Sequence, residues 1–378
     1  MTSSSTTLRQ GLADQLAGRG QLADPAWRSA VEAVPRELFL GDVVFRSDGA
    51  RWEPVRRDQL GGEEWLRMVY SDTTWVTQVD GISAADAPGP LPGKPTSSST
   101  LPSLVLRMAE LAGIREGDKV LEIGTGTGYS TAILCHRLGD KAVYSVEYDG
   151  ALAATAAQHL RDAGCSPNLV VGDGLRGHPG GAEYDAVIAT CAVRTIPASW
   201  LWQLRDGGSI VTTVSGWMLA SGLIRLVLDE EGTARGRFTG DTVSYMLARP
   251  HERPPRATFY PHPGTTRRTR VSPDLLDGWT AHFVAQLAAP SAELVHTGNG
   301  VALIDVATGS QAWTEPDGHG WTVHQDGPLP LWDHVEDALA VWREAGSPDQ
   351  TAFGMTVTEW DQTVWLGDPD GPHWRLPT

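Results

Sequence analysis

The chain has 378 residues, a formal net charge of −16 at neutral pH and 41% hydrophobic residues. These values are typical of a globular protein with more than one domain. The negative charge repels phosphates, which disfavours nucleic acid as a partner. No segment is as long and apolar as a membrane span or a secretory signal, so we expect a cytoplasmic protein with no membrane partner.

Composition predicts three segments, with boundaries at residues 1–95, 96–250 and 251–378. The first segment begins with a helix after Asp24, because Pro25 suits the first helical position. Glycine and proline are frequent in residues 46–94, which predicts loops and short strands without a core of their own. The first segment is therefore interpreted as a cap of helices and loops.

The middle segment alternates strand and helix patterns, which indicates a mostly parallel sheet covered by helices. The predicted strands are residues 120–123, 142–146, 169–171, 186–190 and 210–214. The predicted helices are residues 129–138, 151–163 and 197–204. Residues 223–228 and 242–247 are expected to close the sheet as an antiparallel pair around a turn-rich DEEGTARG.

The last third is rich in tryptophan, with eight of the fifteen in the chain. An amphipathic helix is predicted at residues 332–345 and a hairpin at 354–366, so this part is interpreted as a small α+β domain with tryptophans in its core. Its RRTR stretch, residues 267–270, is either a solvated loop or a dock for an acidic peptide.

The three cysteines, Cys135, Cys165 and Cys191, lie far apart in the sequence. An odd number without ligand-type spacing disfavours both a disulfide framework and a metal site. We therefore expect three small buried hydrophobic residues and no bound metal.

The segment VLEIGTGTGYS, residues 120–130, predicts a nucleotide-type cofactor turn between a strand and a helix. Its glycines allow a tight turn and a close approach of backbone N–H groups to a ligand. A nicotinamide-binding turn would have its third glycine at position 129, where this chain has tyrosine. The residues predicted to line the cofactor here are Glu122, Gly124, Thr125, Gly126, Thr127, Gly128 and Tyr129.

Acidic residues also follow the next two predicted strands. Glu147, followed by Tyr148, can accept hydrogen bonds from both hydroxyls of a ribose at the carboxyl edge of the sheet. Asp173, followed by Gly174 and Leu175, can accept a hydrogen bond from an adenine amino group. These five residues are predicted to bind the cofactor together with the glycine turn.

The E-x-G-x-G-x-G pattern resembles motif I of methyltransferases that use S-adenosyl-L-methionine, in which an acid receives the amino group of the cofactor. The resemblance implies an α/β fold: a Rossmann-like methyltransferase sheet with a helical and loop-rich N-terminal cap and a small α+β C-terminal domain. Further segments, kept in order over residues 25–250, resemble protein-L-isoaspartate O-methyltransferase. They are VPRELFL (34–40), VYSD (69–72), LEIGTGTGYS (121–130), GDGLRGHP (172–179), YDAVIAT (184–190) and QLRDGGSIV (203–211).

In that family a T-I-S-x-P segment supplies a hydroxyl that binds the substrate carboxylate. Ser98, Ser99 and Thr100 precede Pro102 at the matching place, so the resemblance implies that these three are catalytic residues, with Thr100 in the position of the serine. A carboxylate is already ionised at neutral pH and needs alignment rather than a general base.

Protein-L-isoaspartate O-methyltransferase is a repair enzyme, and we expect three parts of this chain to be absent from it: residues 46–67, residues 80–94 and the C-terminal third. A chain that has these additions resembles the homologues that accompany ATP-grasp ligases in graspetide biosynthesis. This implies methylation of an aspartate in a ribosomal precursor peptide that the ligase has cyclised, followed by aspartimide formation. Two alternatives stay open: isoaspartate repair, and a non-catalytic module that binds cofactor and peptide.

Overall fold

The computed structural model describes residues 3–255, 259–261 and 264–377. They form two compact units. The first unit extends to residue 190 and includes 203–211, and the second holds 191–202 and the chain from 212 onward. The three-segment division expected from composition places its boundaries elsewhere and stays a prediction.

Two strands, Tyr184–Val193 and Leu204–Ser215, begin in the first unit and end in the second. The elements in chain order up to residue 215 are α1 (Ser3–Gly18), α2 (Pro25–Ala33), α3 (Glu37–Leu40), β1 (Val43–Ser47), β2 (Trp52–Arg56), α4 (Arg57–Leu60), α5 (Gly62–Val69), β3 (Trp75–Val79), β4 (Ile82–Ser83), β5 (Pro95–Ser99), α6 (Pro102–Ala112), β6 (Val120–Ile123), α7 (Tyr129–Leu138), β7 (Val143–Glu147), α8 (Gly150–Asp162), β8 (Asn168–Val171), β9 (Tyr184–Val193), α9 (Ala198–Leu201) and β10 (Leu204–Ser215).

The parallel sheet of the first unit has β6 at its centre. Strand β6 pairs in parallel with β7 on one side and with β9 on the other, and β7 pairs in parallel with β8. All four residues of β6 are buried, as expected for a strand covered on both faces. The predicted α/β fold class is therefore confirmed, and the carboxyl ends of three parallel strands meet at one edge.

Helices α2 and α8 of this unit each begin directly after an aspartate whose side chain caps the helix. Asp24 accepts a hydrogen bond from Ala26 N at 2.8 Å, and Pro25 occupies the first helical position of α2. Asp149 caps α8 in the same way through the N–H groups of Ala151 and Leu152. The structure thus places α8 directly after β7, where the sequence pattern predicts it.

The segment expected to lack a core has one. Strands β1 to β5 form an antiparallel sheet, in which β3 pairs with β1, β4 and β5. Phe45, Val76 and Val79 lie in its hydrophobic cluster, with Trp52 and Leu91 packed against them. The expectation was wrong because the frequent glycines and prolines mark the turns between short strands, while the apolar residues between them still meet.

The second unit contains two antiparallel arrangements. Its remaining elements are β11 (Ser221–Leu228), β12 (Ala234–Phe238), β13 (Thr265–Arg268), α10 (Trp279–Ala288), β14 (Ala292–Thr297), β15 (Gly300–Asp305), β16 (Gln311–Asp317), β17 (Gly320–Asp326), α11 (Leu331–Glu344), β18 (Phe353–Val357), β19 (Gln362–Leu366) and β20 (His373–Arg375). Strands β11, β12, β18, β19 and β20 pair in that order, and β13, β17, β16, β15 and β14 form a separate sheet.

Two predicted elements near the end of the middle segment are wrong. The partner of β11 is β12, which begins within the DEEGTARG turn, whereas residues 242–247 contain only an isolated bridge. Asp229 accepts hydrogen bonds from the N–H groups of Glu231 and Thr233, which tightens the turn and brings the return strand forward. The helix expected over residues 197–204 is reduced to α9, because β10 already begins at Leu204.

The predicted C-terminal helix and hairpin correspond to α11 and to the β18–β19 pair. Trp332, Trp342 and Trp365 are buried, in agreement with a role in the core, but Trp360 is exposed. No helix within the described ranges is long and apolar enough to cross a membrane.

The RRTR stretch is neither a solvated loop nor a free basic patch. Arg267 and Arg270 each hydrogen bond to the buried carboxylate of Glu336 at 2.8 Å, and Thr269 also donates to it. Burial opposes ionisation of Glu336, but these donors outweigh it and lower its pKa to about 2. The arginines therefore hold β13 and α11 together.

Candidate functional site

The glycine turn between β6 and α7 has the backbone that the sequence predicts. Gly124, Gly126 and Gly128 have φ values of +96°, +56° and +92°, a region that L side chains rarely adopt. A Cβ on Gly124 would lie 2.7 Å from Oγ1 of Thr190. The turn therefore needs glycine for its conformation, and at Gly124 also for space.

Glu122, the third residue of β6, is a fully buried carboxylate next to this turn. It has 0% exposure, and it accepts hydrogen bonds from the hydroxyls of Ser130, Thr131 and Ser145. Burial raises its pKa, although the three hydroxyls oppose that shift. These contacts join β6 to α7 and β7, and direct reception of a cofactor amino group by Glu122 stays a prediction.

The side chains of Thr125, Thr127 and Tyr129 are also buried. Thr125 Oγ1 lies 2.6 Å from Ser145 Oγ, and the ring of Tyr129 packs edge to face against Phe39. Any contact of these three residues with a cofactor must therefore come from their backbone N–H groups, which is the usual role of a glycine-rich turn.

Glu147 connects the turn to the end of β7. One carboxylate oxygen accepts from Gly126 N at 2.9 Å and the other accepts from Asp149 N at 3.0 Å. The next residue, Tyr148, is 54% exposed, an unusual value for a large aromatic residue at the end of a buried strand. Each carboxylate oxygen has a second lone pair, so Glu147 can still accept a ribose hydroxyl.

The end of β8 supplies the third part of the site. Asp173 accepts from Leu175 N at 3.0 Å through one oxygen. A Cβ on Gly174 would lie 2.4 Å from Cγ2 of Ile123, so glycine lets this turn pack on the end of β6. Val171, the last residue of β8, is 62% exposed.

These residues fit S-adenosylmethionine. The glycine turn offers backbone donors, while Glu147 and Asp173 offer carboxylates at the ends of two paired strands. Tyr148 and Val171 leave apolar surface uncovered beside them, which a flat adenine ring can cover. The group would thus be held by Gly124–Gly128 backbone atoms, Glu147 and Asp173.

The predicted substrate hydroxyls lie on β5 and directly after it. The carbonyl oxygen of Ser98 is the nearest atom to a Cβ built on Gly126, at 3.5 Å, so this segment adjoins the glycine turn. Ser98 and Thr100 are half-buried. Thr100 Oγ1 makes no hydrogen bond to any residue in the described ranges, and it is therefore available to a substrate.

Ser99 differs from its two neighbours because successive strand residues face opposite sides. Its side chain is buried, and its Oγ has no hydrogen-bond partner among the residues described. The Ser99 hydroxyl is therefore less accessible to a substrate than those of Ser98 and Thr100. A substrate contact of Ser99 stays a prediction.

Sequence reasoning missed the role of Arg36. This arginine is fully buried, and its guanidinium donates to the carbonyl oxygens of Val69, Ser71, Thr73 and Thr100 at 2.8 to 3.1 Å. Burial lowers its pKa to about 10, so it is still charged at neutral pH. The available signal was the VPRELFL segment itself, which carries Arg36.

The VYSD segment supports the same turn. Asp72 Oδ1 accepts from Ser103 N at 2.9 Å, at the start of α6. Thr74 Oγ1 accepts from Leu101 N at 3.1 Å. Arg36, Asp72 and Thr74 thus hold the backbone on both sides of Thr100, so two segments quoted only for their resemblance have a physical role.

Comparison with known proteins gives a consistent assignment. The family model for protein-L-isoaspartate(D-aspartate) O-methyltransferase matches residues 61–230. The enzyme of that name from Ignicoccus hospitalis is 34% identical over 47% of this chain and 79% of its own length. The one from Thermococcus onnurineus is 29% identical over 61% of this chain and 96% of its own length.

A solved structure titled protein-L-isoaspartate O-methyltransferase covers 95% of this chain and 100% of its own, with a TM-score of 0.56 and 20% identity. At this identity the likeness shows the fold alone. The likeness extends over nearly the whole chain, whereas the family model ends at residue 230. The expectation that the C-terminal third is foreign to the repair enzyme stays a prediction.

These findings confirm the predicted enzyme class and the predicted cofactor, S-adenosyl-L-methionine, and they favour an enzyme over a non-catalytic module. Nothing in them points to an ATP-grasp ligase. The relative from Ignicoccus hospitalis is 34% identical to this chain and is matched over 79% of its own length. The chain therefore belongs to the protein-L-isoaspartate O-methyltransferase family.

Proposed function

We propose that the protein methylates the side-chain carboxylate of an L-isoaspartyl residue in a peptide or protein. The observation that carries this proposal is the position of the β5 end beside the glycine turn, with the Ser98 carbonyl next to Gly126. Thr100 follows two residues later, and its hydroxyl has no hydrogen-bond partner within the part of the chain that the structure describes. The names of the relatives supply the substrate class.

The residues of this chain act by binding and alignment. S-adenosylmethionine, when bound, supplies an electrophilic methyl group on a sulfonium. Thr100 Oγ1 donates a hydrogen bond to one oxygen of the substrate carboxylate and leaves the other free to attack. No residue has to remove a proton, because a carboxylate is ionised at neutral pH. Alignment and exclusion of water then account for the catalysis.

A second candidate substrate is an aspartate of a ribosomal peptide that an ATP-grasp ligase has cyclised. The ester would be attacked by the following backbone nitrogen, with loss of methanol and formation of an aspartimide. The small antiparallel sheet favours this candidate, because β4 from the second expected insertion pairs with β3, and β3 pairs with Ser98 and Ser99. Strand β2 from the first insertion joins the same sheet through β1. A sheet added beside the substrate hydroxyls fits a specialised substrate.

Matched peptides separate the two candidates. The purified chain is incubated with S-adenosylmethionine and a peptide that contains either isoaspartate or aspartate at one position. Methyl ester on the isoaspartyl peptide alone supports the leading proposal. Activity on neither peptide, with an ester and then a loss of one water on a ligase-modified precursor, would establish the second candidate instead.

Substitution of Thr100 tests the assignment of the site. We expect Thr100→Ala to lower kcat/KM by about tenfold or more, since a hydrogen bond to a charged group is lost. Thr100→Ser should retain activity within about threefold. Binding of S-adenosylhomocysteine, measured by calorimetry, should be unchanged in both. Thr155→Ala, which removes an exposed hydroxyl on α8, is the matched control.

Unchanged turnover of Thr100→Ala would refute the role of this hydroxyl while leaving the cofactor assignment intact. Loss of S-adenosylhomocysteine binding in the same variant would instead indicate a misfolded turn.

A further inference from the structure

We propose that Cys135, Asp140 and Cys165 form a structural binding site for a thiophilic divalent cation of the zinc class. The ligand atoms of these three residues all lie within 4.8 Å of one another. They come from three places in the chain: α7, the turn after it, and the loop between α8 and β8. The expectation that the cysteines are unrelated small hydrophobic residues does not hold for this pair.

The distances suit a metal. Zinc binds cysteine sulfur at about 2.3 Å and carboxylate oxygen at about 2.0 to 2.2 Å, so ligand atoms around one tetrahedral ion are about 3.6 to 3.8 Å apart. A cluster whose ligand atoms lie within 4.8 Å of one another would therefore have to contract by at most about 1 Å. Two sulfurs and one oxygen leave a fourth tetrahedral position, which a water can occupy.

The surroundings hold the ligands in place. Asp140 Oδ2 accepts a hydrogen bond from Ser166 N at 2.8 Å, next to Cys165. This bond orients the carboxylate and leaves its second oxygen for a cation, as the outer hydrogen bonds of metal ligands commonly do. Cys135 is buried and the other two are half-buried, so the site is accessible without being open.

Two thiols and a carboxylate share one small volume, because their ligand atoms all lie within 4.8 Å of one another. A divalent cation bound there would offset two of the three ligand charges and release the two thiol protons to solvent.

The position indicates a structural role. The ion would link the C-terminal end of α7 to the loop that leads into β8, and the glycine turn begins at the opposite end of α7. None of the three residues lies among those assigned to the cofactor or the substrate. The inference is therefore independent of the proposed methyl transfer.

The test uses the full reduced chain and the metal alone. We expect one Zn²⁺ per chain by elemental analysis after dialysis, and a near-ultraviolet thiolate charge-transfer band when Co²⁺ replaces it. The Tm should rise with Zn²⁺ in the wild-type protein, because an ion that binds the folded state stabilises it. Cys165→Ser should lose the band and the rise in Tm, and Asp140→Asn should weaken Zn²⁺ binding by about tenfold.

Cys191→Ser is the matched control, because Cys191 is half-buried and lies outside the cluster. It should bind Zn²⁺ as the wild type does. Equal binding by Cys165→Ser, or no stoichiometric binding by the reduced wild type, would overturn the proposal. A Cys135–Cys165 disulfide in the isolated protein, two hydrogens lighter by mass, together with no uptake of Zn²⁺ after reduction, would replace it with a redox pair.

Discussion

At the scale of single residues, buried polar side chains hold the backbone of the site in place. Glu122 and Arg36 are both fully buried, and each binds several partners from distant segments. Thr100, Tyr148 and Asp173 are not buried and lie at or just beyond strand ends. Glu147 combines the two roles, because it is 8% exposed, accepts a hydrogen bond from Gly126 N and is assigned to the cofactor.

Replacing Arg36 should affect the substrate side more than the cofactor side. A lysine has three donors on a single nitrogen and cannot reach the four carbonyls that the two terminal nitrogens of the guanidinium serve. We expect Arg36→Lys to reduce the free energy of unfolding by about 2 kcal/mol, since buried carbonyls lose their donors. The KM for the peptide should rise about tenfold, while the Kd for S-adenosylhomocysteine changes less than about twofold.

Steady-state kinetics and calorimetry on the same preparation make this comparison. Arg28→Lys, at an exposed helical arginine, is the control and should change neither quantity. An equal loss of peptide and cofactor binding in Arg36→Lys would mean that the arginine acts only on stability.

The buried carboxylate of Glu122 predicts a pH dependence. Burial raises its pKa above the ordinary value of 4.5, so the folded protein holds this proton more tightly than the unfolded chain does. The stability that this provides is present below pH 4.5 and is lost as the pH rises through the folded pKa. Relative to Glu122→Gln, the free energy of unfolding of the wild type should therefore decline above pH 4.5.

Urea unfolding of both proteins at several pH values measures this difference. A difference that stays constant with pH would show that Glu122 has the same pKa in the folded and unfolded chain.

At the scale of elements, the site depends on turns that join β strands to helices. The β6–α7 turn needs three residues with positive φ, the β7–α8 turn places Glu147 against Gly126, and the turn after β8 packs Gly174 on Ile123. Each turn follows a parallel strand, so all three meet at one edge of the sheet. This arrangement explains how the glycine turn, Glu147 and Asp173, which are far apart in the sequence, come to form one binding site.

Substitution of two glycines can distinguish the cost of backbone strain from the cost of crowding: Gly124 in the β6–α7 turn and Gly139 at the end of α7. Gly139 has a φ of +83° with open space at its Cβ position, whereas Gly124 has a φ of +96° and Thr190 Oγ1 at 2.7 Å. We expect Gly139→Ala to cost about 1 kcal/mol of stability. Gly124→Ala should cost more and should weaken S-adenosylhomocysteine binding by about tenfold or more, because the turn must shift. Equal effects of the two substitutions in urea unfolding and calorimetry would contradict this assignment.

At the scale of the whole molecule, the net charge of −16 acts on every peptide that approaches. An isoaspartyl peptide flanked by lysines should have a lower KM than the same peptide flanked by glutamates. The difference should shrink as salt is added, because charges in solution are screened over about 10 Å at 0.1 M. Initial rates at several salt concentrations test this, and a difference that persists at high salt would point to local contacts instead.

Much of the fold and the cofactor site was accessible from the sequence. The predicted bounds of β6 and α7 coincide with the structure, since a short apolar run, three glycines and an amphipathic helix are local patterns. The antiparallel sheet at residues 43–99 was missed, because its strands are short and pair across turns rich in glycine and proline. The closing strand at 242–247 was misplaced for a similar reason, since the turn that decides it depends on the Asp229 side chain.

The sequence by itself determined the type of fold, the glycine turn and the class of cofactor, because each rests on backbone stereochemistry and spacing within about ten neighbouring residues. Tertiary structure alone decided which polar groups meet. It buried Glu122 under three hydroxyls, buried the Ser99 side chain while Thr100 is only half-buried, and brought Arg36 to the backbone around Thr100. It also gathered Cys135, Asp140 and Cys165 into one cluster. Such contacts join segments far apart in the chain, so they follow from packing, which no local pattern encodes.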